Sequence, residues 1–259
     1  MKTVLITGAC VNTGVAIVEK FASEGYNIIF TGRNTENVRI KENEYKSKFP
    51  DAKVFGYALE SLIDERTVNE DGVLQMFADI DSKGLFVSTL VLNAADQGIG
   101  QCVFETSLTD FMKVINTNVV WNYCLSEQAA RRMKEQGGGN IIFVNSNTAY
   151  RAIPDRISYI ASKGGQLGMM RALALDLGKY NIRVNAVLPG MIKTDRWDKN
   201  PDFYKDVPSR FTPLGDVAVG SDVADAVWYF ATAARNTTGA ELVMDGGNTI
   251  QLYPIIPKK

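Results

Sequence analysis

Two side chains in the segment YIASK, Tyr159 and Lys163, stand four residues apart. On a helix that spacing puts both on one face, one turn apart. A phenol ordinarily titrates near ~10, too high for a base at neutral pH, and an adjacent ammonium stabilises the phenolate and lowers that value. A tyrosine so placed can give a proton to a forming alkoxide or take one from an alcohol. Thirteen residues upstream, Ser146 ends an apolar run in VNSNTAY, and Asn118 lies in INTNVVW within a long helical pattern. Each of these alone has a plain structural explanation. An exposed tyrosine beside a solvated lysine, a strand-end hydroxyl bonded to backbone and a helical asparagine bonded to its own turn all look the same in sequence. The chain of 259 residues has no histidine. Histidine triads and histidine-containing metal sites are thereby excluded, and no metal is expected. Cys10, Cys102 and Cys124 are widely spaced and odd in number, the pattern of free reduced thiols.

The elements that must position these groups follow from the hydrophobic pattern. Short apolar runs at Thr3–Thr7, Asn27–Thr31, Val54–Tyr57, Phe86–Leu92, Asn140–Asn145, Arg183–Leu188 and Glu241–Met244 predict strands. Most are apolar throughout rather than alternating, which suits parallel strands covered on both faces. Helical patterns run from about Gly14 to a cap at Gly25, from Asp110 to about Gln136, from Tyr159 to Gly178, and from a capping Ser221 to Ala233. Strand–helix alternation predicts an α/β chain: a Rossmann-like, doubly wound parallel sheet of about seven strands with right-handed crossovers and helices on both faces. No linker, repeat or low-complexity tract divides residues 1–259, so one domain is expected. Residues Ile192–Val219, with Pro201, Pro208 and Pro213, break the alternation and read as a loop-like flap over a substrate.

Lys and Arg number 28 against 29 Asp and Glu. Neither a nucleic-acid footprint nor a membrane surface is indicated, and no apolar run reaches the roughly 20 residues a membrane helix needs. Cytosol is the expected compartment. The first strand enters TGACVNTG, Thr7 to Gly14, and then a helix. A glycine turn at this place lets backbone approach a pyrophosphate, with free N–H groups and the positive helix dipole facing it.

Taken together, these segments resemble the short-chain dehydrogenase/reductase family, along essentially the whole chain from Thr3 to the DGG at Asp245–Gly247. TGACVNTG is similar to the family's TGxxxGxG. Thr7, Gly8 and Gly14 match, and Asn12 stands at the middle glycine, where asparagine is among the few residues that tolerate a left-handed backbone. NAAD, Asn93 to Asp96, stands where the family has NNAG, with Asp96 at the glycine. Ala58-Leu59 replaces the family's aspartate after the third strand. The resemblance implies a cofactor site formed by Gly8, Asn12, Thr13, Gly14, Arg33, Asn93, Ala94, Tyr159, Lys163, Pro189, Gly190, Ile192 and Thr194. Asn93, Ala94 and Ala95 would line the adenine-side floor, and LPGMIKTD would reach the carboxamide or phosphates through Ile192 and Thr194. An acidic residue at the end of the second strand would favour NAD. Gly32 leaves that place empty, and Arg33 suits a 2′-phosphate, so NADP is preferred over NAD. Val11 stands where many NADP-using relatives have a second basic residue.

The implied catalytic set is Ser146, Tyr159, Lys163 and Asn118. Ser146 would hold the substrate oxygen, Tyr159 would transfer the proton, Lys163 would orient the ribose and tune Tyr159, and Asn118 would hold a water in the proton path. The implied activity is hydride transfer between NADP or NAD and a small alcohol or ketone. A 3-oxoacyl-thioester (acyl-carrier-protein) reductase has the same site. Asn12, Ala58 and Asp96 favour a non-catalytic cofactor-binding sensor or scaffold, against which the retained catalytic set argues. Enoyl reductases space the tyrosine and lysine more widely, sugar-nucleotide epimerases need a larger C-terminal region, and a histidine or metal hydrolase fails on the absent histidine. Arg151, Asp155, Arg156, Arg196, Trp197, Tyr204 and Arg210 are expected mainly as solvated loop charges and flap-packing aromatics. The apolar tail QLYPIIPKK fits a subunit contact in a homotetramer or homodimer.

Overall fold

All seven expected strands form. In the computed structural model, which describes residues 2–255 apart from the side chain of Phe203, they are β1 (Thr3–Ile6), β2 (Asn27–Gly32), β3 (Val54–Ala58), β4 (Val87–Leu92), β5 (Gly139–Val144), β6 (Ile182–Pro189) and β7 (Glu241–Met244). They make one parallel sheet in the order β3-β2-β1-β4-β5-β6-β7. Continuous apolar runs become strands here because both faces are covered: β1 and β2 are buried at every residue. One face packs Leu5, Leu90, Ile141 and Val184 against α3 (Glu70–Ser82), α5 (Trp121–Glu135) and α6 (Ile157–Leu177). The other packs Val4, Ile28, Val91 and Val187 against α1 (Asn12–Ser23) and α10 (Gly220–Thr232). The chain order reverses between β1 and β4, so a crevice opens past the carboxyl ends of these strands.

Several expectations are corrected. The pattern Asp110–Gln136 is not one regular helix. It is α4 (Leu108–Ile115) and α5 joined through a wide π turn at Asn116–Val120. Ser221 does not cap α10. The helix already includes it, and the carboxylate of Asp222 accepts from the backbone N–H of Val219, the N-cap residue, at 2.8 Å. The flap is not a plain loop, because its prolines fall in or beside short helices: α7 (Asp195–Lys199), α8 (Pro201–Tyr204) and α9 (Val207–Phe211), the last two with proline in the first turn, where its missing N–H costs nothing. Its base is closed by Lys193 donating to the Ala218 carbonyl at 2.8 Å, and Trp197 stacks on Tyr204 at 4.4 Å. Helix α2 (Thr35–Lys48) was not expected. It is polar on nearly every side and starts at Asn34, whose side chain accepts from Asn37 N–H. The last four residues of the apolar tail lie outside the described residues. Among the described residues no helix is long and apolar enough to cross a membrane.

Candidate active site

A cleft of about 1200 Å³ lies along the carboxyl ends of the strands. At one end is the β1–α1 turn. Gly8 has φ +66, and a Cβ there would stand 3.0 Å from Ala94; a Cβ on Gly14 would collide with the Gly8 carbonyl. Asn12 takes φ 48, so the left-handed place that the family gives to glycine is filled by a residue that adopts it. Thr7 locks this turn to β4: its hydroxyl accepts from Asn93 N–H and Ala94 N–H, both at 2.9 Å. Asn93 is not simply floor. Its amide donates to the Thr7 and Gly8 carbonyls at 3.0 and 3.2 Å, which makes it the brace of the glycine turn. The result is a tight backbone turn at the N-terminus of a 12-residue helix, a form that fits a pyrophosphate.

Beside this turn, a Cβ on Gly32 would lie 2.7 Å from Val38 and 2.5 Å from the Cys10 sulfur, so the place where an acidic residue would select NAD is crowded and both side chains would have to shift to admit one. Arg33 follows, exposed and without an ion pair among the described residues. Pro189, Gly190, Ile192 and Thr194 form the facing wall.

At the other end are the residues of chemical interest. Ser146 and Tyr159 both line the cleft, and Ser146 is near enough to lower the proton affinity of the Tyr159 phenol. Ser146 also accepts from the Thr148 hydroxyl at 2.9 Å and from Thr148 N–H at 3.2 Å. Lys163, one turn on from Tyr159, is 2% exposed, yet it reaches the cleft. Its Nζ donates to the Val144 carbonyl at 3.0 Å and to Gln166 Oε1 at 3.2 Å, and stands 5.5 Å from the centroid of the Tyr159 ring.

The electrostatics differ from the expectation. Burial pushes the Tyr159 phenol above its ordinary value; the Ser146 hydrogen bond and the positive charge of Arg156 pull the other way without prevailing. Burial pushes Lys163 down to about 7. A lysine that is half-neutral near pH 7, turned toward Val144 and Gln166, is a weaker phenolate stabiliser than a full ammonium at the hydroxyl would be.

Asn118 does not line the cleft. It is fully buried behind it, on the π turn. Its amide donates to the Asp96 carbonyl at 2.8 Å and to the Ser162 hydroxyl at 2.9 Å, and its Oδ1 accepts from Asp96 N–H at 2.8 Å. It therefore ties down the loop after β4, while Asp96 turns its own carboxylate onto Gly98 N–H. Every other candidate residue is brought to the cleft. Sequence reasoning matched Thr7 to the motif without its role as a brace, and missed Gln166. Gln166 carried a signal: it is a polar residue at a core-facing position, four before Met170 on the same helix.

A family model described as enoyl-(acyl carrier protein) reductase matches residues 8–249. The chain belongs to the short-chain dehydrogenase/reductase family. A 3alpha-hydroxysteroid dehydrogenase of Mediterraneibacter gnavus is 34% identical over 95% of this chain and 96% of its own. A 3-oxoacyl-[acyl-carrier-protein] reductase of Rickettsia bellii is 31% identical over 95% and 96%. Among solved structures, ElxO with NADP bound superposes with a TM-score of 0.86 at 28% identity, over 96% of this chain and 99% of that one. Membership makes the chain an oxidoreductase that works with a nicotinamide cofactor.

Proposed function

We propose that this oxidoreductase moves a hydride between NADP, in preference to NAD, and the carbinol or carbonyl carbon of a small alcohol or ketone. The observation that carries this reading is the placing of Ser146 and Tyr159 together on the cleft whose far end is the glycine turn. The nicotinamide supplies or accepts the hydride when bound. Backbone at Gly8, Asn12, Thr13 and Gly14 holds the pyrophosphate, with Asn93 and Ala94 behind it. Pro189, Gly190, Ile192 and Thr194 hold the nicotinamide end. The free guanidinium of Arg33, beside the crowded Gly32, supports the NADP preference.

Ser146 donates a hydrogen bond to the substrate oxygen. Tyr159 gives its proton to that oxygen as an alkoxide forms, or takes it as an alcohol is oxidised. With its phenol raised by burial, Tyr159 holds its proton at neutral pH, the state from which reduction starts. Lys163 orients the ribose from the buried side. Asn118 belongs to the set as the residue that fixes the wall at Asp96. A 3-oxoacyl-thioester substrate is the second reading, supported by the Rickettsia relative. A sensor or scaffold has no use for the paired hydroxyls.

Tyr159→Phe should lower turnover by ~10²–10⁴, the usual worth of a positioned proton donor, while NADPH still binds. The measurement is absorbance of NADPH and NADH with a panel of alcohols, ketones and a 3-oxoacyl thioester, and near-normal turnover of the variant refutes the assignment. We also assign the chain to the cytosol as a homotetramer or homodimer. Leu242 and Val243 on the edge strand β7 are 36% and 39% exposed, and Leu252 and Tyr253 of the tail are 77% and 76% exposed. Light scattering that finds a strict monomer removes the assembly.

A further inference from the structure

Behind the cleft, Gln166 is 1% exposed and every polar atom of its carboxamide is used. Nε2 donates to the Asn118 carbonyl at 2.7 Å. Oε1 accepts from Lys163 Nζ at 3.2 Å and from Asn145 Nδ2 at 3.0 Å. The family resemblance implies a water held by Asn118 in the proton path, and the Asn118 carbonyl and the Lys163 amine are the groups here that such a water could join. Here a side chain spans them. An alcohol's proton can enter the interior only through a group that both accepts and releases one. A carboxamide is neither an acid nor a base at neutral pH.

We propose that Gln166 is a positioning residue that substitutes for a solvent molecule between Lys163 and Asn118, fixing the lysine and closing the interior side of the site, so that the proton exchanged at Tyr159 travels through the open cleft alone. The inference rests on the reading of Tyr159 as the proton donor. No other route is offered by the surroundings. From β5, Lys163 meets the Val144 carbonyl, with the Asn145 amide beside it on Gln166 and on the Lys163 carbonyl. From the π turn comes Asn118, bonded to backbone and to Ser162. The titratable or charged neighbours at the start of α6 are Tyr159 and the N-cap residue Arg156, at the cleft. Asp96 is engaged with Gly98 N–H, and Asp245, beyond Asn147, with Gly247 N–H and Thr249 N–H. The depressed proton affinity of Lys163 has burial as its cause, with no charged partner contributing.

The test uses the full chain with isotope-labelled lysine. The Lys163 resonance is assigned by its loss in Lys163→Met, and the solvent exchange of its Nζ protons is followed by NMR. Gln166→Val frees the Asn118 carbonyl and opens a space bordered by three polar groups, enough to hold a water. Exchange should quicken at least tenfold. Gln166→Glu keeps the shape and supplies a group able to pass protons, so exchange should quicken there too, which keeps the test available if the valine chain fails to fold. Exchange equal to the parent in a folded variant overturns the proposal. On an alcohol that the parent oxidises, the parent's rate should fall linearly with deuterium fraction, as for one proton in flight, and the variants' curve should bow. A bowed parent curve also overturns it. A parent without turnover on any substrate would remove the enzymatic reading and leave the exchange result to decide this one.

Discussion

The two ends of the cleft handle charge in opposite ways. At the cofactor end the cation is Arg33, exposed and without an ion pair among the described residues, beside a turn made of backbone. At the chemical end the cation is Lys163, 2% exposed, held by Val144 and Gln166. A solvated arginine keeps its full charge and costs the fold nothing, so its whole interaction energy is free for a ligand. A buried lysine costs the fold stability, and that same cost brings its proton affinity down into the range where it can change state during turnover. The cofactor end is therefore expected to lose function gradually when altered, without loss of stability. The chemical end should lose function sharply and can gain stability in the process.

Lys163→Met gives the largest effect and tests the second half of that contrast. An unfolded lysine titrates near 10.5 and the folded one is pushed down to about 7. Below about pH 7 both states are protonated and the folded chain bears the full penalty of a buried charge. Between about 7 and 10.5 the unfolded chain binds the extra proton, so this group's contribution to stability rises with pH through that window. Lys163→Met should therefore melt higher than the parent at pH 6, and the gap should shrink by at least ~5 °C at pH 9.5, given roughly 2–4 °C per kcal/mol for a chain of this size. Turnover is lost at both pH values. A gap that is constant with pH, measured by thermal scans of both chains, would show that the lysine is not held neutral.

The contrast also explains what the sequence disclosed. The seven strands were legible because parallel strands covered on both faces leave unbroken apolar runs, and Tyr159, Ser146 and the glycine turn because their offsets are fixed by the sheet that carries them. Asn118 was found, but its place behind the cleft was not foreseen. Its identity is visible, but the π turn that sinks it behind the cleft depends on one wide helical turn that periodicity does not register. The flap's short helices escaped because each is a turn or so long, too short to show a period. Asn93 was assigned to the floor because a strand-end amide says nothing of which carbonyl it will reach. The expected drop in the tyrosine's proton affinity failed because spacing along a helix gives a face and not a depth, and depth decides whether burial or charge prevails.

Arg33→Ala comes next and tests the first half. Charge-assisted hydrogen bonds from a guanidinium are worth about 1.5–3 kcal/mol, so NADP affinity should fall by roughly 10- to 100-fold, measured by fluorescence titration, while NAD affinity moves little. Melting temperature should stay with the parent. Equal loss toward both cofactors would mean that the arginine serves the turn and not the 2′-phosphate.

The smallest effect is expected at Arg156, which belongs to both regimes. It lines the cleft, bonds the Asp155 carbonyl at 3.3 Å, makes no ion pair among the described residues, and its charge lowers the proton affinity of Tyr159. Arg156→Ala removes one of the two influences that oppose burial, so the phenol should become harder to ionise. The alkaline limb of the pH profile for alcohol oxidation, which needs the phenolate, should then move to higher pH, while reduction at neutral pH is little changed. If the same guanidinium also anchors an anionic substrate, KM rises together with that displacement; an unchanged KM leaves Arg156 as a tuner of Tyr159 alone. A pH profile that superposes on the parent's would place the charge too far from the phenol to act, and the chemical end would then depend on Ser146 and burial only.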